Sequence, residues 1–457
     1  MSRAVIEPGP QRLSGTIVAQ PSKNYTTRWL LAAALADGRS IVRNAATSDD
    51  ARALISALRR LGAGIRILNP EADAWDIEVE GVAGRPRVIG EGPVDVGNAG
   101  AVLRLLLGVG ALTQQVTFST QYHDSLGRRP NDELLAALAA LGCSVESRGG
   151  CLPVTLRGGN LRGGRIEVSG ARSSQFISSL LFLAPLIGEP LEIVVADRLV
   201  SRAPVQQTLE VLARAGVVVE AATDLMRFAA KPGRYAPGEY QVNGDWPGSA
   251  AILAAAAVTG STISMTGLIE DNQGERAAAR VLREMGARIE LEPPSPACPA
   301  GRVTIEGRPL QAVDFDGDTA TDAVLALEGA ACFARGRSRF HNVANLRIKE
   351  CDRISEPLRE LKKVGVVCGE GRETGDPDPD AIWIEGRPDG YDGGVEVDGC
   401  GDHRVIMLET IVGLGSRRGL VISGAEAVAK SYPAFFRHLL ALGARISLDR
   451  SDHGDAG

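Results

Sequence analysis

No two cysteines stand in Cys-x-x-Cys spacing, and the seven present (Cys143, Cys151, Cys298, Cys332, Cys351, Cys368 and Cys400) are odd in number and scattered. That leaves no disulfide framework to read, and the expectation is reduced thiols in a cytoplasmic protein. Histidine is scarcer still: five residues without metal-ligand spacing argue against a zinc site. No apolar run approaches the roughly twenty residues of a membrane-spanning helix. The opening stretch MSRAVIEPGPQRLSG lacks the apolar core of a signal peptide, so neither membrane nor secretion is expected. Lys and Arg number 50 against 56 Asp and Glu, a formal net charge of −6, which gives no reason to expect nucleic acid.

What the sequence does have is one ending written six times. Each copy is an amphipathic helix pattern, then Gly, then a β-branched or apolar stretch: LRRLGAGIRI (Leu58–Ile67), LAALGCSVES (Leu138–Ser147), LARAGVVVEA (Leu212–Ala221), LREMGARIEL (Leu282–Leu291), LKKVGVVCGE (Leu361–Glu370) and LLALGARISL (Leu439–Leu448). Gly suits a helix that must stop in the left-handed region, where a side chain is strained. One copy is an ordinary helix–strand junction. Six, at Gly62, Gly142, Gly216, Gly286, Gly365 and Gly443, are a structural repeat.

About forty residues before each ending lies a short polar cluster and then a dense apolar helix, beginning near Ser22, Gly97, Ser173, Trp246, Thr321 and Asp402. Apolar nearly all round, these helices should be buried, with the amphipathic ones outside. Each unit is then about 75 residues with two helices and several strands, an α/β architecture. A chain of 457 residues exceeds one typical domain, and six units divide as three and three. The segments Glu292–Gly301 and Gly369–Asp380 read as exposed loops, and the last residues as a frayed tail.

The chemistry belongs at the starts of the buried helices. There, unsatisfied N–H groups and the helix dipole favour anions. The polar clusters supply matching side chains: Lys23 and Arg28, Asn98 and Arg104, Ser173-Ser174-Gln175, and His403-Arg404. For any one Lys or Arg the plain alternative is a solvated surface charge, but Lys23 sits where a core helix begins. The densest cluster runs Arg347-Ile348-Lys349-Glu350-Cys351-Asp352-Arg353. It reads either as a capped, solvated helix start or as a Lys–Glu acid/base pair beside an Arg that grips phosphate or carboxylate.

Nearly the whole chain resembles the enolpyruvyl transferases, and most of all their 5-enolpyruvylshikimate-3-phosphate synthase branch. The resemblance is carried by PSKNYTTR (Pro21–Arg28), GNAGAVLR (Gly97–Arg104), SLGRRP (Ser125–Pro130), SSQF (Ser173–Phe176), LVSR (Leu199–Arg202), TDA (Thr321–Ala323), NLRIKECDRI (Asn345–Ile354), DHR (Asp402–Arg404) and AKSYP (Ala429–Pro433). It implies a two-domain inside-out α/β barrel of six βαβαββ units, three per domain. Residues 22–243 would form the first domain. Residues 1–21 with 244–448 would form the second, with 449–457 a tail. The chain would cross between them near Gln20–Ser22 and Asn243–Asp245, and ligands would close a cleft.

The reaction so implied moves the enolpyruvyl group of phosphoenolpyruvate onto an acceptor hydroxyl, in the shikimate pathway of aromatic amino acid biosynthesis, with no metal or cofactor. Carried over by position, Asp322 is the base at the acceptor hydroxyl, and Lys23 and Glu350 move the methylene proton. Phosphoenolpyruvate falls to Lys23, Gly100, Arg129 (or Arg128), Gln175, Arg353, Arg404 and Lys430. A phosphorylated acceptor falls to Ser173, Ser174, Gln175, Ser201, Asp322, Asn345 and Lys349, with Arg28 and Asn24 at its carboxylate. The resemblance implies a monomer, and glyphosate, which mimics the charge pattern of phosphoenolpyruvate, is expected to compete with it.

Four positions depart from the family pattern: Asn24 stands for Ser, Ala101 for Thr, Leu105 for Pro and Pro204 for Tyr. Asn24 and Pro204 fall on the acceptor side. A second reading is therefore a paralogue using another phosphorylated acceptor, such as a nucleotide. A cyclitol lyase and a silent anion-binding protein complete the alternatives.

Overall fold

The computed structural model describes residues 2–296 and 298–450. The six repeat-ending glycines all adopt positive φ, between +80° at Gly216 and +119° at Gly286, as a helix stop in the left-handed region requires. After each of the six a strand begins within three residues.

Six helices form the cores: Lys23–Leu35, Gly100–Gly110, Ser174–Leu183, Trp246–Val258, Val324–Ala331 and His403–Gly415. They are buried on every side, as their continuous apolar sequence predicts; the Trp246–Val258 helix is buried from Trp246 through Ala257. Small residues allow close approach. Gly108 packs on Ser179, where an added Cβ would lie 2.6 Å from the hydroxyl oxygen, and Gly329 packs on Ile411. The outer helices bury one stripe each. Asp49–Arg60 turns Leu54, Ile55 and Leu58 inward and keeps Arg52 and Arg59 at the surface.

Every repeat ends in a four-stranded sheet of the same topology: an edge strand runs parallel to its neighbour, and the remaining two pairings are antiparallel. In most repeats the parallel pair flanks the core helix, as in Val94–Asp95, helix Gly100–Gly110 and strand Val116–Ser119. The crossover delivers each core helix with its N-terminus just beyond the end of the first strand. This is the βαβ logic that puts polar helix starts at one end of a sheet.

By its internal contacts the chain divides between residues 20 and 21 and between 243 and 244. One compact unit is continuous, Pro21–Asn243; the other joins the segments on either side of it. The early strands Ser2–Ile6 and Ser14–Val18 serve this second unit. Ser2–Ile6 lies between strands Val421–Ser423 and Ile446–Arg450, and Ser14–Val18 runs parallel to Thr262–Thr266. Where the chain passes between units it is pinned within each: Ser22 N–H donates to Asn243 O, and Asp245 N–H donates to Gln20 O, both at 2.8 Å.

Two loop expectations change. Gly369–Asp380 is not a plain exposed loop. It holds a short helix, Gly371–Thr374, with a reciprocal cap between Glu370 and Glu373, and its Glu370 and Asp380 bind the half-buried Arg347 described below. At the chain's end the strand Ile446–Arg450 takes up residues 449 and 450, so the expected tail is shorter; its remainder, 451–457, lies outside the described residues. Among the described residues no helix is long and apolar enough to cross a membrane.

Candidate active site

In the Pro21–Asn243 unit the polar residues gather at three core-helix starts. Ser22 caps the first helix, so Lys23 opens it, and its Nζ pairs with Asp50 Oδ2 at 3.1 Å. Asp50 is buried in the first turn of the next helix. One turn beyond Lys23 is Arg28, only 2% exposed. Its guanidinium meets neutral oxygens only: Nε donates to Thr208 Oγ1 at 2.9 Å, Nη1 to the Asn24 carbonyl at 3.0 Å and Nη2 to the Pro204 carbonyl at 2.9 Å. Burial without a carboxylate lowers its pKa to about 10.

The helix starting at Gly100 has Ala99 at its cap position and so no capping side chain. Arg129 fills the space beside it: a Cβ on Gly100 would lie 2.9 Å from Arg129 Nη1. Arg129 is buried, whereas Arg128 is exposed and paired with exposed Asp124. The structure thus separates two arginines that the sequence leaves equivalent. Arg104 spans the second and third helix starts. Its Nε donates to Asn131 Oδ1 at 3.3 Å, and its Nη1 to Ser173 Oγ at 3.1 Å and Gln175 Oε1 at 3.0 Å, with the guanidinium over the Phe176 ring. Ser173 caps its own helix through the Gln175 N–H, and Ser174 is the first helical residue. Ser201 has φ +49°, a strained backbone for a non-glycine residue and the kind held at binding sites.

In the other unit the centre is Arg353, 2% exposed. Nε donates to Asp402 Oδ2 at 2.7 Å, Nη2 to Asp402 Oδ1 at 3.2 Å and to Glu350 Oε2 at 2.8 Å, and Nη1 to Asp322 Oδ1 at 3.1 Å. Burial disfavours the guanidinium charge, but Asp402, Glu350 and Asp322 together more than offset it and hold the cation firmly. The second oxygen of Glu350 faces Lys430 Nζ at 2.6 Å, both side chains nearly buried. Arg404 is also buried; it lies close enough to Glu275 for their charges to interact, but among the described residues no carboxylate is bonded to its guanidinium. Its N–H completes the cap on Asp402 at 2.8 Å, Nη1 lies 3.7 Å from Met407 Sδ, and Nε has no hydrogen-bond partner. Asn345 Nδ2 reaches Thr321 Oγ1 at 3.4 Å, beside Asp322, and Lys349 ends that same Asn345 turn, half-buried.

The charge cluster at 347–353 divides in two. Glu350 and Arg353 turn toward Asp402. Arg347 turns the other way and binds Asp380 at 2.7 Å, Glu370 at 2.6 Å, Asp352 at 3.0 Å and Ser355 at 3.0 Å. That half is the structural helix start that the plain reading describes.

Three acidic residues escape a reading by motif, and a fourth, Asp402 of the DHR motif, carries no role in that reading. Asp50 and Asp402 hold Lys23 and Arg353. Asp245 caps the Trp246–Val258 helix, and Glu275 accepts the Asp322 N–H at 3.4 Å. The DWPGS stretch around Asp245 carries no cation, so nothing in the fourth repeat marks it as part of a charged site. Among the described residues no group of three or more His, Cys, Asp or Glu is arranged to hold a metal ion. The chemistry on offer is anion binding by buried guanidiniums, and proton exchange at Lys–carboxylate pairs.

A model of the EPSP synthase (3-phosphoshikimate 1-carboxyvinyltransferase) family matches residues 8–439. The chain is 47% identical over 439 residues to the 3-phosphoshikimate 1-carboxyvinyltransferase of Deinococcus radiodurans, covering 95% of each. It is 38% identical to that of Burkholderia pseudomallei, covering 95% of this chain and 93% of the other. Among solved structures, the EPSP synthase of Acinetobacter baumannii matches with a TM-score of 0.80 at 24% identity, over 98% of this chain and 100% of that one. The enolpyruvyl transferase NikO of Streptomyces tendae matches at 0.76 and 16% identity, over 98% and 99%. Those two likenesses bear on the fold, the two-domain inside-out α/β barrel. With the sequence matched almost end to end, the chain belongs to the EPSP synthase (3-phosphoshikimate 1-carboxyvinyltransferase) family.

Proposed function

We propose that the chain transfers the enolpyruvyl (1-carboxyvinyl) group of phosphoenolpyruvate to a hydroxyl of shikimate 3-phosphate, releasing phosphate. The observation that carries the choice of acceptor is Arg28. A buried guanidinium surrounded by neutral oxygens is an unneutralised charge, and a ligand carboxylate would complete it. Shikimate 3-phosphate has such a carboxylate. Asn24 and Pro204, the departures on this side, touch Arg28 through backbone carbonyls, so a change of side chain leaves those bonds in place.

In this reading Asp322 takes the proton of the attacked hydroxyl as its oxygen bonds to C2 of phosphoenolpyruvate. Lys23 and Glu350 deliver a proton to C3, giving the tetrahedral intermediate. Expulsion of phosphate and return of a C3 proton restore the double bond. Phosphoenolpyruvate is assigned to Lys23, Gly100, Arg129, Gln175, Arg353, Arg404 and Lys430. Of these, Arg404 is a buried guanidinium to which no carboxylate of the described residues is bonded. Arg353, shared among three carboxylates, acts more by aligning Asp322 and Glu350. The acceptor phosphate is assigned to Ser173, Ser174, Ser201, Asn345 and Lys349. We read the protein as a cytoplasmic monomer.

The test is phosphate release with phosphoenolpyruvate and shikimate 3-phosphate together. Turnover with that pair is expected. Release only with a different acceptor would move the protein to another substrate, and turnover without phosphoenolpyruvate would make it a lyase. Asp322→Ala and Glu350→Gln should each lower turnover by orders of magnitude with the fold intact.

A further inference from the structure

Glu275 lies in the short Gly274–Arg276 turn that leads into the outer helix of the fourth repeat, Ala277–Glu284. It is 8% exposed. A carboxylate so far from water needs donors or cations, and this one has few. Its Oε1 accepts the Asp322 N–H at 3.4 Å. Asp322, from the Thr321–Ala323 turn, and Asp245, from the cap of the Trp246–Val258 helix, face it with like charge, and Arg404, from the His403–Gly415 helix, opposes them. The remaining charges nearby in sequence turn away: Arg276 is exposed toward Glu270, and Arg280 pairs with Glu284 at the surface. Burial first, and then the charge of Asp322, raise the Glu275 pKa to about 7.

We infer that Glu275 is a positioning residue for Asp322: it anchors the turn that carries Asp322 and, through its own charge, sets how readily that carboxylate takes a proton. This rests on the reading of Asp322 as the base. The need for it comes from Arg353. A guanidinium bonded to Asp322 Oδ1 at 3.1 Å stabilises the anion and makes a poorer base. A second buried carboxylate on the backbone side of Asp322 restores basicity. The two carboxyls titrate as a pair, and the upper step, from one negative charge to two, belongs to neutral pH. Above that step Glu275 is ionised and Asp322 is the stronger base; below it Glu275 is protonated and the help is lost. The fourth repeat thereby contributes to the reaction through a carboxyl thirty residues beyond its core-helix start.

The experiment is the pH profile of kcat/KM for shikimate 3-phosphate in wild type, Glu275→Gln and Glu275→Ala, with Asp322→Asn alongside. Substrate phosphates also titrate at about 6, but they do so identically with every variant. Wild type should show a rise through about pH 7. Glu275→Gln is isosteric and keeps an oxygen for the Asp322 N–H, so it should stay within about tenfold of wild type at pH 8 and lose that rise. Glu275→Ala should lose the rise and about tenfold more activity, because the turn is no longer anchored. An unchanged rise in Glu275→Gln, or equal losses in both variants with the profile intact, would overturn the inference and leave Asp322 as the base. Near-normal turnover in Asp322→Asn would overturn the base reading, and the inference with it.

Discussion

Arg353 and Asp402 meet at two points inside their unit, Nε to Oδ2 at 2.7 Å and Nη2 to Oδ1 at 3.2 Å, and the same Oδ1 accepts the Arg404 N–H at 2.8 Å. One carboxylate thus fixes the guanidinium that aligns Glu350 and Asp322, and also starts the helix that presents Arg404. Removing it should be costly: Asp402→Ala leaves a buried cation short of its main partner and a core helix uncapped. A loss of about 3–5 kcal/mol is expected from chemical denaturation. Asp402→Asn, which keeps an oxygen for the cap, should lose less. A midpoint unchanged in Asp402→Ala would contradict this account.

Arg28 should show the opposite balance. Its folded pKa of about 10 lies below the usual 12.5, so the folded protein holds that proton less tightly than the unfolded chain. The charge therefore costs stability at every pH below about 10, on the order of 3 kcal/mol at neutral pH. Arg28→Met should raise KM for shikimate 3-phosphate about a hundredfold while leaving that for phosphoenolpyruvate within about twofold. Its denaturation midpoint should hold or rise. Loss of stability together with an unchanged acceptor KM would refute the assignment.

Gly100→Ala isolates Arg129. The new Cβ would sit 2.9 Å from Nη1, the far end of a flexible side chain, and 3.8 Å from Leu126 Cδ1. The fold should accept it while the guanidinium shifts. An increase of about tenfold in KM for phosphoenolpyruvate is expected, with an unchanged melting temperature. Equal effects on both substrates would place Arg129 elsewhere.

Glu328 predicts a dependence of stability on pH. It is fully buried in the Val324–Ala331 helix, and neither carboxyl oxygen has a hydrogen-bond partner. Burial raises its pKa to about 8. The folded protein therefore keeps a proton that the unfolded chain sheds above about 4.3. Stability is full below that value, falls as pH rises from there to about 8, and is flat beyond. Glu328→Met should remove this slope, worth about 3–5 kcal/mol, and be more stable than wild type at pH 8. Glu409, likewise buried and raised by burial, should leave a slope of its own. Parallel curves for wild type and Glu328→Met would refute the assignment.

The fold was readable because its signals are local. A glycine at a helix stop and an apolar helix each declare themselves within a dozen residues, and repetition removes the ambiguity of a single copy. The cationic half of the site was readable for the same reason, since Lys23, Arg28 and Arg404 stand at or near helix starts. Of the anionic half only Asp322 and Glu350, which stand in motifs, were readable. Glu275 meets Asp322 only because two turns from different repeats pack together, and nothing near either residue marks the encounter. Direction was equally hidden. Arg128 and Arg129 are neighbours in sequence, yet one faces water and the other fills the space beside Gly100. Arg347 and Arg353 share a cluster and turn opposite ways, because Asp380 and Glu370 wait on one side and Asp402 on the other.

The strand Ser2–Ile6 is hydrogen-bonded between Val421–Ser423 and Ile446–Arg450. On a ribosome that strand emerges well before its two partners, which come only after the whole Pro21–Asn243 unit and most of its own. The continuous unit can fold as it is made. The leading strand must wait with both edges unpaired for nearly the entire time of synthesis, an apolar segment that chaperones and neighbouring nascent chains can reach. Moving Ser2–Val18 to the far end by circular permutation would shorten that wait without altering a single native contact within the sheets.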